Sequence, residues 1–199
     1  MDYGKENIDA LDRWKRGHKV FFLLLQGLIV NLRRFQSAVN NDRYDEADRC
    51  LQAANQLLSG TARVMKYTGD FSKKQYETDV RPTMCPPYTI DGFSGLLSRD
   101  HAELLQVIRD LRPVFASLPT SLAHSRRIFF DKLSTVYDCH VYVCERFVGS
   151  DAGSLRMNES TEKSSTEVLK TFKENRLKPI SPSSTNAYPF WEESASEPS

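Results

Sequence analysis

Two histidines and a cysteine are the residues of this sequence best suited to hold a cofactor. His140 and Cys144 stand four positions apart in an apolar stripe of helical spacing, so they share a helix face about 6 Å apart along the axis. His101 occupies the apolar stripe of an earlier segment. A single histidine or cysteine on such a face is usually a packed core residue. Two inward imidazoles on neighbouring helices can, however, face each other across a metal ion or a haem iron, which has two axial positions.

The remaining cysteines and histidines are weaker candidates. The four cysteines include no CxxC pair and no disulfide-framework density, which is typical of a protein from a reducing compartment. Cys139 adjoins His140 and is therefore turned about 100° away from it on a helix, where packing is the expected role. His18 and His124 have basic neighbours and are expected to lie in solvent.

A structural zinc site is a second chemistry that these residue types allow. Cysteine and histidine are common zinc ligands, although the spacing here lacks the closely paired ligands of most zinc sites. The candidate ligands are His101, His140 and Cys144, with Cys85 or Cys139 as the fourth. A third possibility is a bis-histidine haem protein without enzymatic activity, such as a sensor or an electron carrier.

The periodicity of apolar residues predicts an all-α fold, a bundle of about five helices, with no strand pattern anywhere. A Gly- and Pro-rich stretch, 68–98, is predicted as a long ordered loop, and loops of that length are usually functional. Residues 1–178 are predicted as one helical domain and residues 179–199, rich in Ser and Pro, as a flexible tail. The predicted helices run from a cap at Asn7, Asp9 or Asp12 to about Val39, from the turn at 40–42 to Tyr67, from Arg99 to just before Pro119, from about Ile128 to Phe147, and through residues 166–172.

Composition and charge exclude several classes of function. The 199 residues carry 27 Lys and Arg against 26 Asp and Glu, so the chain lacks the basic field that nucleic acids or anionic membrane surfaces attract. The longest apolar run, residues 20–30, is far shorter than the roughly 20 residues that cross a bilayer, and it lacks the flanks of a signal peptide. We expect a cytoplasmic protein that binds neither nucleic acid nor membrane. The surplus of apolar residues in the first helix predicts a homodimer or higher homo-oligomer.

Two segments resemble motifs of the tryptophan 2,3-dioxygenase family. The run HVYVCERFVG, from His140 to Gly149, resembles that family's His-x-x-x-Val-x-Arg-x-Ile/Leu-Gly segment, whose histidine is the proximal haem ligand. The run GFSGLLSR, from Gly92 to Arg99, is similar to its Gly-Phe-Gln-Ser-x-x-x-Arg segment, whose arginine binds the substrate carboxylate. The two motifs occur in the same order. Cys144 departs from the dioxygenase pattern, which has an apolar residue there.

The departure at Cys144 points to one branch of these haem proteins. A histidine, a gap of 39 positions and then His-x-x-x-Cys resembles the pattern of the 3-methyltyrosine hydroxylases of saframycin biosynthesis. In that group the first histidine is a distal ligand, the second is proximal, and the cysteine forms one thioether bond to a haem vinyl group. The resemblance implies that a haem is held by His140 as proximal ligand, His101 as distal ligand and Cys144 as thioether donor.

The same resemblance implies a substrate site and an activity. Arg99 would bind the carboxylate of an amino acid, for which its planar guanidinium is well suited. Phe93 would line an aromatic pocket, and Ser154 or Asp151 would hold the ammonium group, although the dioxygenases' Gly-Thr-Gly-Gly run is missing here. Arg99 and His101 are thus the expected catalytic residues. The implied reaction is oxygen insertion into a tryptophan or tyrosine derivative, with dioxygen or hydrogen peroxide as oxidant, in a biosynthetic pathway.

Overall fold

The computed structural model describes residues 9–90, 98–147 and 165–180, and within these ranges it contains helices and no strand. The all-α helical bundle is therefore confirmed, and each of the five predicted helices is present. No helix in these ranges is both long and apolar enough to cross a membrane. The helices are α1 (Ala10–Asn40), α2 (Tyr44–Thr68), α3 (Lys73–Gln75), α4 (Arg99–Ala116), α5 (Ala123–Phe147) and α6 (Ser165–Leu177).

Helices α1 and α2 form a long antiparallel hairpin. Asp9 begins α1, because its carboxylate accepts hydrogen bonds from the backbone N–H groups of Leu11 and Asp12 at 2.6 and 3.1 Å. The turn to α2 contains Asp42 with a φ of 57°, a left-handed conformation that Asp tolerates better than most residues. The two helices pack against each other along most of their length, and helices α4 and α5 pack on this hairpin.

Three phenylalanines form the centre of the main core. Phe115, near the end of α4, has its ring centroid 5.5 Å from that of Phe35 and 5.6 Å from that of Phe129. All three side chains are fully buried. Leucine and alanine side chains of α1 and α2 surround them, so this end of the bundle is densely packed.

Helices α4 and α5 pack mainly on different members of the hairpin. Helix α4 packs on α1, α5 packs on α2, and α4 and α5 make few direct backbone contacts with each other. The chain runs up α4 from His101 to Phe115 and returns along α5 from Phe129 to His140. The histidines therefore lie together at the end of the pair opposite the phenylalanine core.

Helix α6 is fixed to α5 by charge and to the core by apolar residues. Lys173 Nζ of α6 lies 2.5 Å from Asp138 Oδ1 of α5. The Nη2 group of Arg126, also on α5, donates to the carbonyl oxygen of Ile180 at 3.4 Å. The 3-10 turn Lys178–Ile180 buries Ile180 in the main core, so packing extends two residues beyond the predicted boundary at 178. The remainder of the predicted tail, 181–199, lies outside the described residues.

The prediction of one long loop over residues 68–98 is wrong for part of its length. Residues 73–84 are helical, as α3, a π-helical turn (Tyr76–Val80) and a 3-10 turn (Arg81–Met84). Ser72 and Gln75 form a capping box, in which each side chain bonds the other residue's backbone N–H. The Tyr76 ring stacks on Phe147 of α5 with centroids 4.6 Å apart, and Val80 is fully buried beside it. Two apolar residues one turn apart are too short a pattern to predict a helix.

Candidate cofactor site

The structure brings His101 and His140 together. His101 lies in the first turn of α4, where its Nδ1 is buried and has no hydrogen-bond partner. His140 lies about two turns before the end of α5. Loss of solvation lowers the pKa of His140 to about 4, and the positive charge that His101 carries when protonated adds to the shift. The two rings are therefore close enough to interact electrostatically, although they belong to different helices.

The His140 side chain is exposed and yet poorly solvated. Its surface is accessible, but the largest cause of its lowered pKa is the protein that surrounds it. Both observations hold for a ring that is accessible on one side and surrounded by protein on the others. We call the part of the bundle around His101 and His140 the histidine recess. Burial also lowers the pKa of His101. Both rings are thus neutral at neutral pH, the form that binds metals.

Cys144 lies one turn beyond His140 on α5, as the sequence predicts. The thiol is half-buried, and burial, followed by the neighbouring carboxylate of Glu145, raises its pKa to about 11. It is therefore protonated at neutral pH. Cys144 also lies close enough to Tyr76 to contribute to the raised pKa of that phenol, although burial of the phenol is the larger cause.

The prediction that His18 lies in solvent is wrong. The side chain is half-buried, its Nδ1 donates to the Trp14 carbonyl oxygen at 2.8 Å, and its ring centroid lies 4.3 Å from that of Trp14. Burial lowers its pKa, and its charge when protonated would oppose protonation of His140. Gly17 lets α1 approach α2 closely beside His18: a Cβ there would lie 1.9 Å from Thr68 Oγ1. His124 is exposed, as expected.

Arg176 of α6 is a residue at the recess that the sequence analysis missed. Its Nη1 donates to the Tyr137 hydroxyl at 2.9 Å, and its guanidinium carbon lies 4.7 Å from the centre of the Phe172 ring. Its positive charge contributes to the lowered pKa of both His101 and His140. A cation therefore lies within electrostatic range of both imidazoles. Nothing in the local sequence distinguishes this arginine from a solvated one, because its position depends on how α6 docks.

The predicted substrate residues are only partly described. Arg99 is the first residue of α4, with an exposed side chain two positions before His101, so it lies at the recess end of the helix. Phe93, Ser154 and Asp151 lie outside the described residues.

The donor set fits a haem better than a zinc ion. In the part of the chain that the structure describes, no three His, Cys, Asp or Glu side chains are placed to hold a metal ion together. Cys139 is buried and lines a separate surface cavity of about 220 Å³ between α2 and α5. A haem iron requires only two axial ligands from the protein. Two neutral imidazoles and a nearby thiol meet that requirement, and the buried Nδ1 of His101 has no hydrogen-bond partner among the described residues.

The chain is similar in sequence to known proteins. The sequence model of a family described as SfmD 3-methyl-L-tyrosine peroxygenase matches residues 2–125, which include His101 and end before His140. The chain is 32% identical over 169 residues to the 3-methyl-L-tyrosine peroxygenase of Streptomyces lavendulae. That alignment covers 85% of this chain and 46% of the relative, so the chain spans about half the length of the curated relative. No solved structure matches the chain.

Proposed function

Because the chain belongs to the SfmD 3-methyl-L-tyrosine peroxygenase family, we propose that it is a haem-dependent peroxygenase acting on an aromatic amino acid related to tyrosine. The S. lavendulae relative is named for 3-methyl-L-tyrosine, which makes that compound the first substrate to test. The observation that carries the proposal is the convergence of His101 and His140 at the recess, with Cys144 one turn further along α5. The motifs shared with the tryptophan 2,3-dioxygenases support a common haem-binding plan.

In this proposal each residue at the recess has a defined role. His140 would hold the haem iron as its retained ligand and His101 as its exchangeable ligand, and both rings are neutral as ligation requires. Cys144 would attach the haem covalently by adding its S–H group across one vinyl group. When bound, the haem would supply the redox chemistry that transfers a peroxide oxygen to the substrate.

Hydrogen peroxide is the oxidant that balances the reaction without a further partner. One peroxide oxygen becomes the hydroxyl group on the ring carbon, the ring hydrogen and the second oxygen leave within water, and no external electrons are needed. Dioxygen would require two electrons from a reductant. Arg99, exposed at the start of α4, is the arginine that the dioxygenase resemblance assigns to the substrate carboxylate.

Haem attachment provides the first test. The protein reconstituted with haem should show a Soret band, and haem staining after denaturing electrophoresis should persist in the wild type and disappear in Cys144→Ser. Cys139→Ser is the matched control, because Cys139 lies next to His140 in sequence but lines a different cavity. His140→Ala should change the spectrum. A colourless protein, or staining that survives in Cys144→Ser, contradicts the assignment.

Activity provides the second test and separates the enzyme from a bis-histidine sensor or electron carrier. With 3-methyl-L-tyrosine and peroxide, mass spectrometry should detect a product that has gained one oxygen atom, and His101→Ala and Arg99→Gln should impair its formation. A haem protein whose spectrum does not respond to aromatic amino acids, and which forms no product, is instead a sensor or carrier.

Self-association through α1 is part of the same proposal. Three apolar side chains on this helix remain exposed: Val20 at 44%, Leu23 at 67% and Val30 at 52%. Exposed apolar surface of this kind usually marks a contact. Light scattering should show a homodimer that Leu23→Gln weakens, and a strictly monomeric wild type would contradict the prediction.

A further inference from the structure

Arg176 has no acidic partner within the described ranges, in contrast to the ion-paired arginines. Within the described ranges each ion-paired arginine lies against an Asp or Glu carboxylate, as Arg13 does with Asp70 and Arg33 with Glu103. No carboxylate in those ranges pairs with Arg176, whose only hydrogen-bond acceptor is the neutral Tyr137 hydroxyl. A half-buried guanidinium without a counter-ion is unfavourable and favours the binding of an anion.

The guanidinium is held in place before any ligand arrives. It lies over the rings of Phe172 and Tyr137, with distances of 4.7 and 5.8 Å to the ring centroids. Helix α6 is itself anchored by the ion pair of Lys173 with Asp138 and by the burial of Ile180. Preorganised donors of this kind bind an anion with little loss of conformational entropy.

Arg176 lies near the histidine recess because it bonds Tyr137. Tyr137 precedes His140 by three residues, so the two side chains are neighbours on the same face of α5. Arg176 is thus held about one turn from His140, and its charge also reaches His101 on α4. An arginine has five N–H donors, of which Tyr137 engages one. None of the Arg176 nitrogens is both buried and unpaired in the described structure, so the remaining donors face accessible space.

We propose that Arg176 binds a carboxylate inside the histidine recess, as the residue that completes its ligand site. A planar guanidinium matches the geometry of a carboxylate and binds it through two parallel hydrogen bonds. The identity of the anion rests on the proposed function, which brings two carboxylate sources to the recess: a haem propionate and the amino acid substrate. The ligand chemistry is the same for both, and experiment distinguishes them.

The test compares Arg176→Gln with the wild type in two binding titrations. In the first, haem or haem dimethyl ester, which lacks free propionates, is added to the protein and the Soret band is followed. In the second, calorimetry measures the binding of 3-methyl-L-tyrosine and of the corresponding amine, which lacks the carboxylate. The second titration is made on the haem-free protein and on the haem-bound protein. Arg109→Gln is the matched control, since Arg109 is exposed on α4 and bonds Gln106. Tyr137→Phe removes the hydrogen bond to Arg176 and keeps the ring beneath it.

We expect Arg176→Gln to bind one free acid about 10- to 100-fold more weakly, the range for loss of a charge-assisted hydrogen bond, and to bind the ester or amine as the wild type does. Selective weakening of haem identifies a propionate, and selective weakening of the amino acid identifies the substrate. Unchanged affinity for both acids, or equal losses for acid and ester, overturns the proposal. If the wild type binds no haem, the proposed function fails, and amino acid binding by the haem-free protein decides the role of Arg176 alone.

Discussion

The two ends of the α4–α5 pair contain side chains of opposite character, aromatic at one end and polar at the other. At one end, Phe115 and Phe129 are each 1% exposed and stack on one another. At the other end, about 21 Å along α4, His101 and His140 lie near enough to interact electrostatically. The first arrangement maximises apolar contact, while the second keeps neutral polar rings desolvated and, for His101, unpaired.

This difference separates the part of the bundle that stabilises the fold from the part that binds. Burying aromatic rings in close contact stabilises a fold, whereas burying an imidazole nitrogen without a partner costs stability. Proteins retain such unfavourable groups where a ligand uses them. The phenylalanine end should therefore respond strongly to substitution in stability measurements, and the histidine end should respond mainly in binding measurements.

The largest effect on stability is expected at the phenylalanine end. Phe115→Ala removes a buried ring that contacts Phe35 and Phe129, and should lower the free energy of unfolding by about 3–5 kcal/mol. Urea denaturation followed by circular dichroism measures the change. A loss below about 1 kcal/mol would mean that this end is not the stabilising core.

A smaller loss is expected where α1 meets α2 beside His18. In Gly17→Ala the new methyl group would overlap Thr68, so helix α1 must shift, at a cost of about 1–3 kcal/mol. Gly27→Ala is the matched control, because its methyl group would meet Leu57 at an ordinary 3.4 Å. The control should be neutral or stabilising through helix propensity. Equal effects of the two substitutions would show that the close approach at Gly17 is unimportant.

Acid should destabilise the histidine end selectively. The pKa of His140 is about 4 in the folded protein and near 6.5 when unfolded, so the unfolded state binds more protons between these values. Stability is therefore complete above pH 6.5 and falls as the pH drops toward 4. The lowered pKa values of His18 and His101 act in the same direction. Melting temperatures of the haem-free protein across this range should fall less in His140→Phe, while the exposed His124→Asn should follow the wild type.

The smallest stability effect is expected for His101→Leu. The substitution replaces the buried Nδ1, which has no partner, with an apolar side chain. The free energy of unfolding of the haem-free protein should therefore change by less than about 1 kcal/mol or increase. Haem binding should nevertheless be impaired. A loss of stability as large as that of Phe115→Ala would show that the two ends do not differ in the way described.

Most of the fold follows from periodicity in the sequence. The long apolar stripes of α1 and α2 identify these helices because the whole pattern lies within one continuous segment of sequence. Asp9 was among the predicted caps, and the structure uses it to begin α1. The short helical segments at 73–84 were missed because their helical geometry depends on packing against Phe147 of α5.

The candidate site was predictable only where its residues share a helix or a motif. The pair His140 and Cys144 follows from spacing, and His101 from its position in an apolar stripe. His18 and Arg176 were missed because charged or polar neighbours in sequence made each resemble a surface residue. What brings them to the recess is tertiary: the close approach of α1 to α2 at Gly17, and the docking of α6 on α5.

The backbone of His101, at the start of α4, is held by fewer helical hydrogen bonds than the backbone of His140. Ser98 precedes α4 without a side-chain capping bond, and His101 lies in the first turn, where a helix has the fewest hydrogen bonds to break. His140 lies well inside α5, with helical turns on both sides. Fraying of one uncapped turn can withdraw His101, whereas withdrawing His140 requires unwinding the end of α5 past Cys144. In the proposed haem site, His101 is therefore the ligand placed for rapid exchange and His140 the ligand placed for permanent retention.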